Sequence, residues 1–139
     1  MEKAATLIGR ILLGHIFLLS GISKIGGYAA TQGWMEAMGV SGTLLPLVIV
    51  LEIGGGLALI LGFQARLVAL GLGGFSIVSA MIFHTNLSDQ IQSIMFMKNF
   101  AIAGGLLYVA ALGAGAWSVD AKIKQARSDA AASAIAGIV

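Results

Sequence analysis

The sequence contains no cysteine, one proline and few charged residues, and these shortages exclude several classes of protein. Without cysteine, the 139-residue chain can form no disulfide, thiolate metal site, thiol redox relay or iron–sulfur cluster. Charged residues make up 10% of the chain, whereas they make up about a quarter of a typical soluble domain. The formal net charge of +2 comes from few residues, so no nucleic-acid partner is expected.

Apolar residues, by contrast, make up 58% of the chain. A soluble globule of this size could not hide so much apolar surface, because small domains keep a large fraction of their surface exposed. Four apolar stretches approach the roughly 20 residues that a bilayer span needs, and lipid forces such segments to be helical. The sequence therefore predicts an all-α integral membrane protein. The expected architecture is an antiparallel four-helix bundle over residues 1–117, with helices at about 4–24, 44–62, 66–84 and 95–114, and a polar tail over residues 118–139.

The distribution of Lys and Arg predicts the orientation of the bundle. With four spans, both termini and the loop between the second and third helices lie on one face. That face collects most of the basic residues: Lys3, Arg66, Lys122, Lys124 and Arg127. The other face has Lys24 and Lys98 at helix ends. Because basic flanks favour the cytoplasm, both termini are predicted to be cytoplasmic. The polar tail is predicted to form a short helix at the membrane surface that frays toward its end.

Glycine is frequent inside the predicted spans. The runs are Gly54-Gly55-Gly56, Gly71, Gly73-Gly74 and Gly104-Gly105. Small residues let helix backbones approach closely in lipid, so we expect these glycines to pack the bundle. A homodimer face or a slot for a flat ligand are the alternatives.

Glu52 is the most costly side chain in the spans, because an isolated carboxylate in lipid must be protonated or find a cation. At 1.5 Å per residue, Arg10 lies roughly 9 Å, Glu52 roughly 15 Å and His15 roughly 16 Å from the inner ends of their helices. Glu52 is therefore predicted to pair with Arg10 or with His15. Two interpretations remain open: a structural ion pair between helices, or a carboxylate that relays protons or binds a ligand.

A second polar group is expected at the outer ends of the helices. It comprises Lys24, His84, Asn86, Lys98 and Asn99. Each residue alone has a structural explanation, such as a lysine that extends to the headgroups. Together they predict a cationic, hydrogen-bonding layer suited to a quinone carbonyl or a small anion.

The sequence favours neither a bound haem nor a bound metal. His15 and His84 differ in estimated height by roughly 10 Å, so they cannot clamp one haem. Three His or carboxylate ligands do not converge at one level, and the glycine runs lie in mid-helix rather than in a phosphate-binding loop. No covalently bound cofactor and no self-sufficient active site are expected.

Several motifs, in order, resemble those of a known family. They are Gly9-Arg10-Ile11-Leu12-Leu13-Gly14, Ser20-Gly21-Ile22-Ser23-Lys24, Leu51-Glu52-Ile53-Gly54-Gly55-Gly56, Phe83-His84, Met97-Lys98-Asn99 and Trp117-Ser118-Val119-Asp120. The pattern resembles the DoxX family of small bacterial inner-membrane proteins. That family often has Gly-Pro-Gly before the tryptophan, whereas this chain has Gly113-Ala114-Gly115.

The resemblance implies a four-helix protein of the bacterial inner membrane, in a family often assigned to oxidoreductase chemistry without a demonstrated reaction. The family takes its name from a relative of the membrane subunit of a thiosulfate:quinone oxidoreductase. The recurring polar positions correspond here to Arg10, Lys24, Glu52, His84, Lys98 and Asn99. His15 matches no recurring position.

Three functions follow from this pattern as hypotheses. The leading one is an accessory subunit of quinone-linked redox chemistry that binds a quinone or a small anion, with Lys24, Glu52, His84, Lys98 and Asn99 at the site. The second is a non-enzymatic scaffold that stabilises a partner complex. The third, ranked last, is a small transporter. The expected partners are the lipid bilayer and a membrane-bound or soluble redox protein, and a homo-oligomer is left open.

Overall fold

The computed structural model describes residues 1–138, and its regular structure consists of helices, with no strand in that range. The helices are α1 (Glu2–Gly26), α2 (Tyr28–Ala37), α3 (Leu45–Leu61), α4 (Ala65–Phe83), α5 (Gln90–Leu112) and α6 (Val119–Ala136), and a 3₁₀ turn at Gly42–Leu44 leads into α3. Four segments are long and apolar enough to cross a membrane: Glu2–Gly26, Gly42–Leu61, Ala65–Phe83 and Gln90–Leu112. The predicted all-α membrane bundle is confirmed.

Two segments differ from the sequence-based expectation. The segment predicted to be the first loop contains α2, a helix of ten residues. This helix is too short to cross a membrane. The fourth spanning helix begins at Gln90 rather than near residue 95, because Asp89 provides an N-cap. Its carboxylate accepts a hydrogen bond from the Gln92 backbone N–H at 2.8 Å, and such caps stabilise the first turn of a helix.

The bundle is built from two closely packed helix pairs, α1 with α3 and α4 with α5. Glycines set the α1–α3 distance. A Cβ atom placed on Gly56 would lie 2.8 Å from the carbonyl oxygen of Gly14 and 2.8 Å from the backbone nitrogen of Leu18. No side chain fits at that distance, so these glycines let the two backbones touch.

The predicted glycine runs contribute unequally to packing. Gly55 faces Leu72 of α4, and Gly105 faces Leu13 of α1. By contrast, several glycines of the same runs have no atom of a neighbouring helix within 4 Å of an ideal Cβ position: Gly54, Gly71, Gly74 and Gly104. Glycine-mediated packing therefore involves only those glycines that lie on the helix face turned toward a neighbouring helix.

The hydrophobic core fills the centre and the inner half of the bundle, the half nearer the two termini. Its fully packed members are Phe17, Leu59, Ala69, Leu72 and Leu106. Large apolar side chains elsewhere point outward, among them Leu47, Val50, Leu67 and Tyr108. An outward apolar surface is what a bundle surrounded by lipid requires.

Polar contacts tie the inner ends of the helices together. Asp120, at the start of α6, accepts hydrogen bonds from the backbone N–H groups of Gln64 (2.8 Å) and Ala65 (2.9 Å). Arg66 donates to the carbonyl of Ala111 at 2.8 Å, near the end of α5. The predicted polar tail is thus a helix of 18 residues that is anchored to the bundle at its first turn.

Candidate functional site

Glu52 lies on α3 and forms an ion pair with Lys24 of α1. Lys24 Nζ lies 2.9 Å from one carboxylate oxygen, Oε2, and 3.1 Å from the other, Oε1. The hydroxyl of Ser20 lies between the two groups, where it accepts a hydrogen bond from Lys24 Nζ at 2.7 Å and donates one to Glu52 Oε1 at 3.1 Å. Glu52 is only 3% exposed, so this three-residue cluster satisfies a charge buried in the bundle.

The predicted pairing of Glu52 with Arg10 or His15 was wrong. Arg10 instead donates to the carbonyls of Leu59 (3.1 Å), Ile60 (2.8 Å) and Trp117 (2.5 Å). Since Arg10 lies level with Ile60, it is eight residues, or about 12 Å, from Glu52 along α3. The height estimate failed because α1 starts at Glu2 and its first two turns extend past the end of α3.

His15 also lies away from the carboxylate. Its side chain is exposed on the outer surface of α1, and its Nδ1 lies 2.6 Å from the carbonyl oxygen of Leu12 in the preceding turn. Within the bundle it contributes nothing to the environment of Glu52.

A cavity of about 410 Å³ occupies the outer half of the bundle, above the hydrophobic core. Helices α1 to α5 all contribute to its walls. The walls are mainly apolar and include Ile16, Val48, Phe75, Ile82 and Ile102. Cavities of about 300–1,000 Å³ with apolar walls and a few polar groups are typical of small-molecule sites.

The residues predicted to bind a ligand all line this cavity: Lys24, Glu52, His84, Lys98 and Asn99. Arg10 and His15 do not line it. The structure thus brings together side chains from α1, α3, α5 and the residue that follows α4. Whether they bind a ligand stays a prediction.

His84 is oriented by a residue that the sequence did not single out. Its Nδ1 lies 2.8 Å from the side-chain oxygen of Gln92 on α5. If Nδ1–H donates to that oxygen, the other ring nitrogen, Nε2, is left without a proton and can accept a hydrogen bond from a ligand.

Helix α2 supplies further lining residues. Thr31, Trp34 and Met35 are spaced as i, i+3 and i+4, so they share one face of α2, and all three line the cavity. The ring of Trp34 stacks on Phe83 with centroids 4.6 Å apart. The i, i+3, i+4 spacing could have indicated that these residues share a face. That inference requires a helix, whereas the sequence predicted a loop in this segment.

Lys98 differs from the other charged groups of the site. Lys98 lines the cavity and is also exposed at the surface of the bundle, in a membrane-spanning helix. Within residues 1–138, its ammonium has neither a hydrogen-bond nor an ion-pair partner. The neighbouring Asn99 donates its amide to the carbonyl of Met95 at 2.9 Å. The cavity therefore contains one neutralised ion pair and one cation without a protein partner.

The described residues contain no group of three or more His, Asp and Glu side chains that could hold a metal ion. The polar groups of the cavity wall are instead two ammonium groups, an imidazole, an amide, the Glu52 carboxylate and four hydroxyl-bearing residues, of which Ser20 contacts Glu52. These groups suit hydrogen bonding to an organic molecule.

The fold and the site define a small membrane protein built as a helical bundle. Its cavity has mainly apolar walls that carry a few polar side chains. The sequence pattern of the DoxX family matches residues 5–85, a range that includes Lys24, Glu52 and His84 but ends before Lys98. The chain is 50% identical over 120 residues to inner membrane protein YqjF of Escherichia coli (strain K12), which covers 86% of this chain and 92% of that protein. It is 32% identical over 121 residues to inner membrane protein YphA of the same organism, covering 82% and 86% respectively.

The chain therefore belongs to the DoxX family, as the motifs predicted, and it is an inner-membrane protein. No solved structure matches it.

Proposed function

We propose that this protein binds a quinone or a small anionic molecule in the outer cavity and acts as an accessory subunit of quinone-linked redox chemistry. The observation that carries the proposal is Lys98, a cation without a protein partner in the described chain, in the wall of a mainly apolar cavity. A cation at this depth is costly unless an anion or a hydrogen-bond acceptor meets it.

Each polar side chain has a distinct role in this proposal. Lys98 and His84 hold the polar head of the ligand, and Trp34 provides a flat aromatic wall beside it. Glu52, Lys24 and Ser20 form a connected hydrogen-bonded chain that can hold or pass on a proton. Electron exchange would occur between the bound molecule and a partner protein.

A binding measurement tests the proposal. The purified protein in lipid nanodiscs is titrated with a benzoquinone that carries a ten-carbon tail, and a dissociation constant is measured. Lys98→Ala should weaken binding by about 10- to 100-fold, because a hydrogen bond to a charged group contributes about 1.5–3 kcal/mol. His84→Ala should weaken binding as well.

Matched controls exist for both substitutions. Lys124→Ala removes an exposed lysine of α6, and His15→Ala removes an exposed histidine that does not line the cavity; neither should change the dissociation constant. Failure of the unmodified protein to bind any quinone would refute the proposal. If Lys98→Ala instead lowered the yield of a co-purified partner complex without changing ligand binding, the scaffold function would be favoured.

A further inference from the structure

We infer that the cavity receives its ligand from the bilayer, through a side opening beside Val78, and that the ligand is a membrane-resident amphiphile with an apolar chain. This inference rests on the proposed function, since it concerns the same cavity. It excludes a purely water-soluble anion as the main occupant.

Helix α2 covers the end of the cavity that faces water. Trp34 stacks on Phe83 at the outer end of α4, and Met35 is buried beneath it. The other side of α2 packs on the turn before α3, where a Cβ atom on Gly42 would lie 2.5 Å from the side-chain oxygen of Glu36. With contacts to both α3 and α4, α2 closes the aqueous route.

The wall beside Val78 is open. Val78 lines the cavity and is nevertheless 55% exposed. It precedes Phe83, the end of α4, by five residues, which places it about 7.5 Å below the helix end and within the apolar part of the span. The opening at Val78 therefore faces lipid rather than water.

The connection between α3 and α4 explains this opening. A short turn joins their inner ends, and Gly55 packs on Leu72 midway along them. Beyond that contact, Val48 of α3 and Val78 of α4 both line the cavity, which separates the two helices. The helices thus diverge toward the outer face and leave a gap between them.

Lys98 lies at the same depth as the opening. Gln92, which contacts His84, precedes Lys98 by six residues, and Val78 also precedes His84 by six residues. Both side chains are therefore attached about 9 Å below the level of His84. An amphiphile can place an anionic or acceptor head at Lys98 while its apolar chain passes Val78 into the lipid.

A kinetic experiment tests this access route. Trp117→Phe leaves Trp34, in the cavity wall, as the remaining tryptophan of two, and its fluorescence quenching reports quinone loading in nanodiscs. We expect a tailed benzoquinone to load faster than the same headgroup without a tail. Val78→Phe should slow loading of the tailed compound severalfold.

Met81→Phe is the matched control for Val78→Phe. Met81 lies on the same helix and is 60% exposed, but it does not line the cavity, so the substitution should leave the loading rate unchanged. The tail-free headgroup and the tailed compound share the contacts at Lys98, so any difference between them reports the apolar chain.

A second experiment tests whether α2 acts as the entrance. Because the chain contains no cysteine, the double variant Trp34→Cys/Phe83→Cys can be joined by a short bifunctional thiol reagent that ties α2 to α4. Quinone retained after gel filtration then replaces fluorescence as the measurement. Loading is compared in the double variant before and after cross-linking, so that the loss of Trp34 and Phe83 from the cavity wall is the same in both measurements. The tailed compound should load equally well in both.

The outcomes separate the two proposals. If neither quinone binds the unmodified protein, the proposed function itself fails. If both quinones bind, but Val78→Phe has no effect and the cross-link blocks loading, the ligand enters past α2 and the side opening is refuted. If phosphatidylglycerol in the nanodisc weakens quinone binding to the unmodified protein but not to Lys98→Ala, an anionic lipid is the competing amphiphile, which supports the inference.

Discussion

At the scale of single residues, the ion pair with Lys24 stabilises the buried Glu52 carboxylate inside the bundle. Lys24 is 24% exposed at its side chain, and the Glu52 side chain is 4% exposed. Desolvation of two such groups costs free energy that their attraction and the hydrogen bonds of Ser20 offset. Without Lys24, the Glu52 carboxylate would be a buried charge with no cation beside it.

Removal of one partner should therefore lower the free energy of unfolding more than removal of both partners does. Lys24→Met should lower the free energy of unfolding by about 3 kcal/mol, because the buried Glu52 carboxylate is then left without its cation. The double variant Lys24→Met/Glu52→Leu should recover most of that loss. Denaturant unfolding in detergent measures both values, with Glu2→Ala at the exposed start of α1 as the control. If the loss in the double variant equals the sum of the losses in Lys24→Met and Glu52→Leu, the pair does not act as a unit.

The sequence was sufficient to identify polar residues that line the cavity, but not to predict how they pair. Ionisable residues are so rare in the apolar runs that Lys24, Glu52, His84 and Lys98 stood out. The pairing depends on how far each helix extends, and α1 begins two turns beyond the end of α3. That offset placed Arg10 against carbonyls at the end of α3 and left Lys24 to pair with Glu52.

At the scale of helices, the backbones of α1 and α3 touch, and Gly56 allows this contact. A methyl group on Gly56 would collide with backbone atoms of Gly14 and Leu18, which cannot move independently of α1. Gly54, two residues away on α3, has no atom of a neighbouring helix within 4 Å of its ideal Cβ position. The two glycines therefore provide a matched pair of sites in one helix.

Alanine substitutions at these positions should have opposite effects. Gly56→Ala should destabilise the protein, because overpacking of a tight contact costs about 1–3 kcal/mol. Gly54→Ala should be neutral or stabilising by up to about 1 kcal/mol, since alanine favours helix over glycine. Thermal unfolding in detergent measures the difference. Equal destabilisation by both substitutions would show that α1 and α3 do not meet at Gly56.

The helix α2 shows a limit of sequence-based prediction at this scale. Hydropathy identifies helices that cross the bilayer, because their length and apolar content are set by its thickness. A ten-residue helix that lies at the surface satisfies neither criterion. Its contribution to the cavity, through Trp34 in particular, became visible only once α2 was placed against Phe83.

At the scale of the whole molecule, the two ends of the bundle differ in construction. At the inner end, the side chains of Arg10, Arg66 and Asp120 connect helix ends through hydrogen bonds to backbone groups of other helices. At the outer end, the helices separate around the cavity and α2 covers it. Under the proposed function, a ligand bound in the outer cavity would leave the closed inner end and the core undisturbed.

The proposed orientation places the cavity in the periplasmic half of the membrane and both termini in the cytoplasm. It is supported by the charge distribution, because Lys122, Lys124 and Arg127 all lie on α6 at the inner end. The lack of native cysteine allows a direct measurement with single-cysteine variants. Ser88 lies in the exposed loop before α5, and Ser133 is exposed on α6.

In intact cells, a membrane-impermeant maleimide should label Ser88→Cys, because that loop would face the periplasm. Ser133→Cys should react only after the inner membrane is permeabilised. Labelling of both variants in permeabilised cells controls for the reactivity of each thiol. The reverse pattern in intact cells would place the cavity on the cytoplasmic side, and the redox partner would then have to be sought there.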